Sequence, residues 1–402
     1  MTPSETNHRF TAAISPQELL SNAPAAIWPA LMPCDFLPIL GNQMGDWLCL
    51  RFRADNSASQ IVHWYHGGGD WIPWGDSLAE AILFDSFRQR LPGSIRDHAI
   101  PAIDDASNAT GDPAEGPLDT WALEQLQRDS VTPTDAERLQ TLSGHELAEA
   151  LIQRHLCLPA VRCHLVIDAL ANPLISDEIL DAWSATENDQ VQRSLLDNQL
   201  MTESQIALVQ QLTGLTSEQI LAQQDWDSVH SQCRQVTRQT PLLAWAWDLL
   251  GYSLERSDDV PAAIDAYRHG LRCSIFTDQT VRVRTHGFNG DGQKFSAARL
   301  IQLAYQSSDP DEQTYLNALS CPNADERREQ VRSHFAALAA KADPATAHDL
   351  WFRAGWDLGA EPMIAFAELL DQVTVTSKTA GRVAQSELAQ THRNCFRDRY
   401  GI

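Results

Sequence analysis

From Ser143 to its C-terminus, the sequence is a succession of short segments with helical periodicity, and this pattern constrains the fold most. Three segments begin with a capping box, a Ser or Thr followed three residues later by Glu or Gln, which satisfies exposed amides at a helix start. The boxes are Ser143/Glu146, Thr202/Gln205 and Thr216/Gln219. Further starts and stops are marked by Pro159, Pro173, Gly214, Pro241, Pro310 and Pro344. Residues 143–402 are therefore predicted to form an all-α array of paired antiparallel helices.

One pair of these helices resembles a tetratricopeptide repeat. The residues that carry the resemblance are Trp247, Leu250, Gly251, Leu254, Ala263, Tyr267 and Gly270. Small residues at Gly251 and Ala263 let two helices approach closely, while large aromatic side chains fill the space between them. A second, degraded match involves Trp351, Gly355, Leu358 and Ala367. Because one repeat cannot bury its faces alone, the flanking helices are predicted to be divergent repeats.

The N-terminal part has a different pattern, which predicts strands followed by a helix. Apolar residues alternate in Trp47-Leu-Cys-Leu-Arg-Phe-Arg53, and Ile61-Val-His-Trp-Tyr-His66 is aromatic and β-branched. Turn-forming residues lie between them, so an antiparallel hairpin is expected. Ser77 and Glu80 then form a capping box whose helix is expected to end near Arg90. Residues 1–96 are thus predicted to be an α+β domain.

Within this part, residues 30–90 resemble the SUKH superfamily. That superfamily includes fungal Smi/Knr-type cell-wall regulators and bacterial toxin-immunity proteins. The resemblance lies in the order of short elements: Leu37-Pro-Ile-Leu-Gly-Asn42, Gly45-Asp46, Leu48-Cys-Leu50, Ile61-Val62, Trp71-Ile72 and Ser77-Leu-Ala-Glu-Ala-Ile-Leu83. It implies an α+β protein-binding domain that performs no catalysis.

An acidic stretch separates the two parts. Between Asp97 and Glu146, eleven acidic residues stand against two arginines, a local net charge of −9. Proline and glycine are frequent in its first half, so little apolar surface is available for burial. Residues 97–142 are therefore predicted to be an acidic linker.

The charge balance of the whole chain limits its partners. Fifty-three Asp and Glu stand against 30 Lys and Arg, which gives a net charge of −23. Nucleic acid is not an expected partner, because its binding depends largely on Lys and Arg. A basic protein is favoured, since a negative field steers positive molecules to the surface. No signal peptide and no apolar run of about 18 residues is found, so we expect a cytoplasmic protein that does not contact a membrane.

Few residues suggest metal or cofactor chemistry. The eight cysteines form no CxxC pair, so neither a metal site nor a disulfide framework is expected. His63 and His66 lie three apart in a predicted strand and would point to opposite faces. Gly67-Gly-Gly69 is followed by no phosphate-loop pattern. No cofactor and no catalytic residue is predicted.

Tryptophans supply the predicted binding residues. Four indoles, Trp47, Trp64, Trp71 and Trp74, fall within one small domain. A small sheet does not bury four indoles easily, so we predict that one or two are exposed as anchors of a protein interface. The predicted protein-binding residues are Trp64, Trp71, Trp74, Asp46 and Asp70.

These observations favour a non-catalytic protein-binding protein. If the likeness to immunity proteins holds, its partner is a basic toxin domain. One alternative is a cytoplasmic regulatory scaffold whose helical array holds an ordinary client. Another is an enzyme with a site near residues 282–294, where Arg282, Arg284, His286 and Lys294 form a basic cluster.

Overall fold

The structure, a computed structural model, contains both predicted parts of the chain. It describes residues 9–66, 71–92, 117–129, 138–170, 177–188, 190–192, 203–221, 225–273, 294–356 and 362–402. The predicted fold class is confirmed, since an N-terminal sheet with its helices precedes a long array of helices.

Five antiparallel strands form the sheet, and each strand pairs with the next one along the chain. They are β1 (Ala12–Ala13), β2 (Phe36–Gly41), β3 (Trp47–Phe52), β4 (Ala58–Trp64) and β5 (Trp71–Gly75). The predicted hairpin is confirmed as β3 and β4, with Leu48 opposite His63. Arg51 pairs with Phe36 across the sheet, and both side chains contact the Trp71 ring. One face of the sheet therefore presents Phe36, Arg51 and Trp71 together.

Helices make up most of the rest of the described chain. Three of them precede the predicted array: α1 (Pro16–Leu19), α2 (Leu78–Phe87) and α3 (Pro117–Asp129). The array consists of α4 (Gly144–Gln153), α5 (Leu158–Leu170), α6 (Asp177–Ser184), α7 (Glu203–Thr213), α8 (Ser217–Leu221), α9 (Trp226–Gln239), α10 (Ala244–Arg256), α11 (Val260–Leu271), α12 (Phe295–Gln302), α13 (Pro310–Leu319), α14 (Ala324–Ala339), α15 (Pro344–Trp356), α16 (Met363–Thr379) and α17 (Val383–Tyr400).

The predicted capping box at α8 forms with both of its hydrogen bonds, and at α2 the Ser77 cap forms while the Glu80 carboxylate accepts from the amide of Asp76. The amide of Glu80 donates to Ser77 Oγ over 3.2 Å, and α2 with its final 3₁₀ turn ends at Arg90. At α8, Gln219 N donates to the Thr216 hydroxyl, and Thr216 N donates to the Gln219 side chain. Ser143 stands at the N-cap of α4 but makes no side-chain capping bond. Thr202 lies outside the described residues.

Part of the stretch predicted as a linker is helical. Helix α3 packs against α2, and its Ala122 is fully buried. Arg9 joins the two helices, since its guanidinium pairs with Asp85 of α2 at 2.9 Å and with Asp119 of α3 at 2.8 Å. Residues 117–129 are thus a packed helix. The remainder of the predicted linker up to residue 116, and residues 130–137, lie outside the described residues.

Helices α10 and α11 show the close approach that their sequence predicts. A Cβ atom added at Gly251 would lie 2.4 Å from the Tyr267 ring, so only glycine fits at this contact. Tyr267 is fully buried between the helices, and its hydroxyl donates to Glu255. Trp247 stacks instead on His269 of α11, with 4.4 Å between ring centroids. In the second, degraded match, Leu358 lies outside the described residues.

The sheet and the beginning of the array share one apolar core. The Glu80 carboxylate of α2 accepts a hydrogen bond from the amide of Cys157, just before α5. Phe84 of α2 lies edge-on to His164 of α5, and α5 also contacts β5. The described residues on the two sides of the predicted linker therefore pack as one body.

The end of the array returns to the N-terminal part. Arg399 of α17 donates to the carbonyl groups of Pro24, Ala25 and Ile27. Asn56, in the turn between β3 and β4, donates to the Gly381 carbonyl and accepts from the amide of Ala384. The array thus begins and ends against the sheet.

Candidate functional site

The predicted tryptophan anchors are core side chains. Trp64 and Trp74 have no exposed surface, and Trp71 is 4% exposed. Trp74 packs edge-on against Phe84 of α2, whereas Trp64 donates its indole N–H to the Leu31 carbonyl on the other face of the sheet. Helix α2 covers one face of the sheet and the segment that contains Leu31 covers the other. Because both faces are covered, the sheet can bury indoles on each of them. The prediction that one or two indoles are exposed as interface anchors is therefore wrong for Trp64 and Trp74, whereas Trp71 is almost buried but lines an open cleft between the sheet and the C-terminal helices.

The two histidines that the sequence places on opposite faces converge on Asp46. Strand β4 ends at Trp64, so His66 has left the strand, and its Nδ1 lies 2.9 Å from Asp46. His63 Nε2 lies 3.6 Å from the same carboxylate. Burial would raise the pKa of Asp46, but hydrogen bonds from both histidines and the charge of His63 outweigh it and hold that pKa well below its usual range. The three residues join the β2–β3 turn to the end of β4. Asp70, the remaining predicted residue, lies outside the described residues.

Lys294 is the one member of the predicted basic cluster that falls within the described residues. It is 1% exposed, and its Nζ donates to the carbonyl groups of Leu271 and Cys273 at the end of α11. Its ammonium also lies 5.6 Å from the centre of the Tyr315 ring. These contacts fasten the end of α11 to α12 and α13. Arg282, Arg284 and His286 lie outside the described residues.

An open cleft, here called the sheet–helix cleft, lies between the sheet and the C-terminal helices. Its first part, about 320 Å³, is bounded by β2, β3, β5 and helix α15. Its second part, about 400 Å³, lies between β3, β4 and the loop that joins α9 to α10. The two parts adjoin and share Asp35, Arg51, Leu242, Asp349, Arg382 and Gln385.

Arginine is the dominant charged residue of the sheet–helix cleft. Two carboxylates, those of Asp35 and Asp349, line it. Five guanidinium groups line it: Arg51, Arg53, Arg272, Arg353 and Arg382. In a chain with a net charge of −23, this cleft therefore has the opposite local sign.

Ion pairs hold the two central arginines in place. Arg51 Nε donates to Asp35 over 3.0 Å, and its guanidinium lies over the Trp71 ring at 4.9 Å. Arg382 donates to both carboxylate oxygens of Asp349, at 2.5 and 3.4 Å. Both side chains are more than four-fifths buried, whereas that of Asp349 is 62% exposed. Such fixed guanidinium groups lose little conformational freedom on binding.

Two further arginines, Arg272 and Arg353, lie on the helical side of the cleft, where packing and a buried carboxylate position them. Arg353 donates to the Leu271 carbonyl and stacks on the Phe335 ring at 4.6 Å. Arg272, with a half-exposed side chain, donates to Glu312 over 3.1 Å. Glu312 also accepts from Arg268 at 2.9 Å. Burial would raise the pKa of Glu312, but its hydrogen-bond donors outweigh this and lower the pKa to about 2.

Replacing Glu312 by glutamine is expected to lower the free energy of unfolding at pH 7 by about 1–2 kcal/mol, since the amide cannot pair with two guanidinium groups as strongly. Because the folded-state pKa of Glu312 lies below its ordinary value of 4.5, its contribution is complete above pH 4.5 and falls as the pH drops toward 2. Urea unfolding should show a smaller difference in the free energy of unfolding between Glu312→Gln and wild type at pH 3 than at pH 7. A difference independent of pH would contradict the role of this carboxylate.

His348 is the imidazole of the sheet–helix cleft, and one of its nitrogens is already engaged. Its Nδ1 lies 2.9 Å from Ser377 Oγ, and that hydroxyl donates its proton to the Val373 carbonyl. The hydroxyl can therefore only accept from His348, which places a proton on Nδ1 and leaves Nε2 for an occupant. Burial lowers the pKa of His348, and the charge of Arg382 lowers it further, so the ring is neutral near pH 7.

Apolar side chains complete the cleft between the charged groups. Phe36 and Trp71 of the sheet face Phe352 of α15. Leu242, from the loop that joins α9 to α10, lines both parts and is 46% exposed. The cleft thus combines aromatic and aliphatic surface with fixed guanidinium groups, a composition enriched at protein interfaces.

No family model, curated protein or solved structure matches the chain. Among the described helices, none is long and apolar enough to cross a membrane. The described residues also contain no group of three or more His, Cys, Asp or Glu side chains arranged to hold a metal ion. The sheet–helix cleft, with its fixed arginines and apolar lining, is the candidate functional site.

Proposed function

We propose that this protein is a non-catalytic protein-binding protein and that its partner docks in the sheet–helix cleft. The observation that carries the proposal is the set of arginines held in an open, partly apolar cleft of an otherwise acidic chain. Arginine and aromatic residues dominate the binding energy of protein interfaces. The likeness of residues 30–90 to the SUKH superfamily supports the same class of function, since that superfamily includes immunity proteins.

The titratable groups of the cleft are engaged in ways that suit binding better than catalysis. Asp35 and Asp349 pair with arginines, and His348 uses one nitrogen for Ser377. Ser377 is fully buried and does not line the cleft, so its hydroxyl is not placed to attack a bound molecule. A nucleophile and its base must both reach the reacting atoms.

The proposal includes a reducing, cytoplasmic setting. All eight cysteines lie within the described residues, where none forms a disulfide, and seven of them are buried. Reduced thiols are the usual state of cysteine in the cytosol. A basic toxin domain remains the proposed partner in the immunity version of this function, because the net charge of −23 would steer it to the surface, although a segment of it that is not basic would have to enter the arginine-lined cleft. A regulatory scaffold is the second version.

The proposal is tested by comparing two charge reversals. Arg53 is exposed, lines the cleft and makes no side-chain hydrogen bond to a described residue, so Arg53→Glu should fold normally. Arg397 is exposed on the last turn of α17, roughly 22 Å along the helix axis from Arg382, and Arg397→Glu is the matched control. Each full-length chain is used to capture proteins from a lysate of the native host.

We expect at least one host protein to be retained by wild type and by Arg397→Glu, and to be reduced about tenfold or more with Arg53→Glu. Circular dichroism should show the same helix content for all three chains. If no captured protein distinguishes Arg53→Glu from Arg397→Glu, the sheet–helix cleft is not the docking site and the proposal fails.

A further inference from the structure

We infer that the sheet–helix cleft selects an acidic peptide segment of the partner. This inference rests on the proposed function and deepens it, because it assigns a chemistry to the part of the partner that enters the cleft. The carboxylate side chains of such a segment would meet guanidinium groups, and its apolar side chains would meet the aromatic surface between them.

The arginines are spread along the cleft rather than gathered at one point. Arg272 lines only the first part, Arg53 lines only the second part, and Arg51 lines both. A single carboxylate or phosphate would meet one of these positions at a time. An extended segment with several carboxylates would meet all three, so the spacing favours a peptide over a small anion.

Two of these arginines have donors to offer. Within the described part of the chain, Arg51 donates to Asp35 through Nε alone, which leaves its two terminal nitrogens for an occupant. Arg53 is exposed at the end of β3. A guanidinium group presents paired N–H donors with the spacing of the two carboxylate oxygens, so each can hold one acidic side chain.

The local charge of the cleft distinguishes acidic from basic segments. A basic segment entering it would place its own charges beside five guanidinium groups, whereas two carboxylates line the cleft and a third, Glu312, pairs with Arg272 from outside it. Like charges in contact at an interface are unfavourable and exclude the wrong partner.

Apolar surface lies between the charged positions. Phe36 and Phe352 line the first part of the cleft, and Leu242 extends this surface into the second part. Leu242 is 46% exposed, so an occupant that covers it would gain by removing apolar surface from water. We therefore expect acidic and aromatic residues to alternate in the preferred segment.

The test uses three fluorescent hexapeptides, which alternate phenylalanine with glutamate, glutamine or lysine. Fluorescence anisotropy with the full chain should show the glutamate peptide binding about tenfold or more tightly than the glutamine peptide, and the lysine peptide most weakly. Arg53→Gln and Arg272→Gln should each weaken glutamate-peptide binding about three- to tenfold. Arg397→Gln should leave it unchanged. Free citrate is added in a separate arm.

Several results would overturn the inference. Equal affinity for the glutamate and glutamine peptides would show that the cleft does not recognise carboxylates. Failure of the glutamate peptide to bind measurably would contradict the inference as well. Citrate that competes as well as the peptide at equal carboxylate concentration would identify a small anion as the ligand. The two proposals fail separately: host proteins that Arg53→Glu releases but the glutamate peptide does not displace would contradict only this inference.

Discussion

Trp74→Ala is expected to lower the free energy of unfolding by about 3–5 kcal/mol, the cost of truncating a large aromatic side chain in a packed core. Trp74 is fully buried, with ring centroids 4.7 Å from Phe84 and 4.6 Å from His63. The cavity would open between the sheet and α2, where the surrounding strands and helix cannot close in fully. Urea unfolding followed by far-ultraviolet circular dichroism would measure the loss.

Trp121 of α3 provides the matched control, because its indole is 38% exposed. Trp121→Ala should change the free energy of unfolding by less than about 1 kcal/mol. If Trp74→Ala unfolds at the wild-type urea concentration and instead loses affinity for a partner, the indole is an interface anchor.

Lys294→Met is expected to lower the free energy of unfolding by about 2–4 kcal/mol. Methionine keeps most of the volume of the buried side chain but removes the ammonium that donates to Leu271 and Cys273. Hydrogen bonds from charged groups are worth about 1.5–3 kcal/mol, and a buried carbonyl that loses its donor adds a desolvation cost. The end of α11 should become the first part of the array to exchange its amide protons.

Lys341 is the control for this substitution, because it is exposed after α14. Lys341→Met should stay within about 0.5 kcal/mol of wild type. An unchanged stability for Lys294→Met would show that its contacts with the helix end do not matter for folding. It would also restore interest in Lys294 as part of the predicted basic cluster.

Local features of the fold were predictable because neighbouring residues determine them. The alternation around Leu48 and Ile61 predicted the hairpin, and Ser77 with Glu80 predicted the start of α2. Gly251 and Tyr267 predicted the close packing of two helices. Each of these signals requires only one strand pair or one helical turn, so a sequence pattern is sufficient.

The sheet–helix cleft was not predictable, because its lining comes from segments that are far apart in the sequence. Arg51 lies in β3, Arg272 follows α11, and Arg382 precedes α17. None of these arginines belongs to a charge run or a motif. The one sequence feature that bears on the cleft is the overall shortage of positive charge. In such a chain, a place where several arginines lie together is a candidate binding site.

The tryptophans were misjudged for a reason of topology. The prediction considered the sheet by itself and allowed it too little covering surface. In the structure, α2 and α5 cover one face, while the segment that contains Leu31 covers Trp64 on the other. Which elements cover a sheet depends on long-range packing, and periodicity within a strand does not report it.

Open solenoids lengthen during evolution by duplicating a repeat, since each unit touches only its neighbours. This chain does not have that freedom, because α5 and α17 are both fastened to the same sheet. An inserted pair of helices would move the contact of α17 with the sheet away from the contact of α5. The start of α17, which carries Arg382, would then separate from β3. The ring-like closure therefore fixes the number of helices between the two attachments, and variation in this architecture should accumulate in its loops.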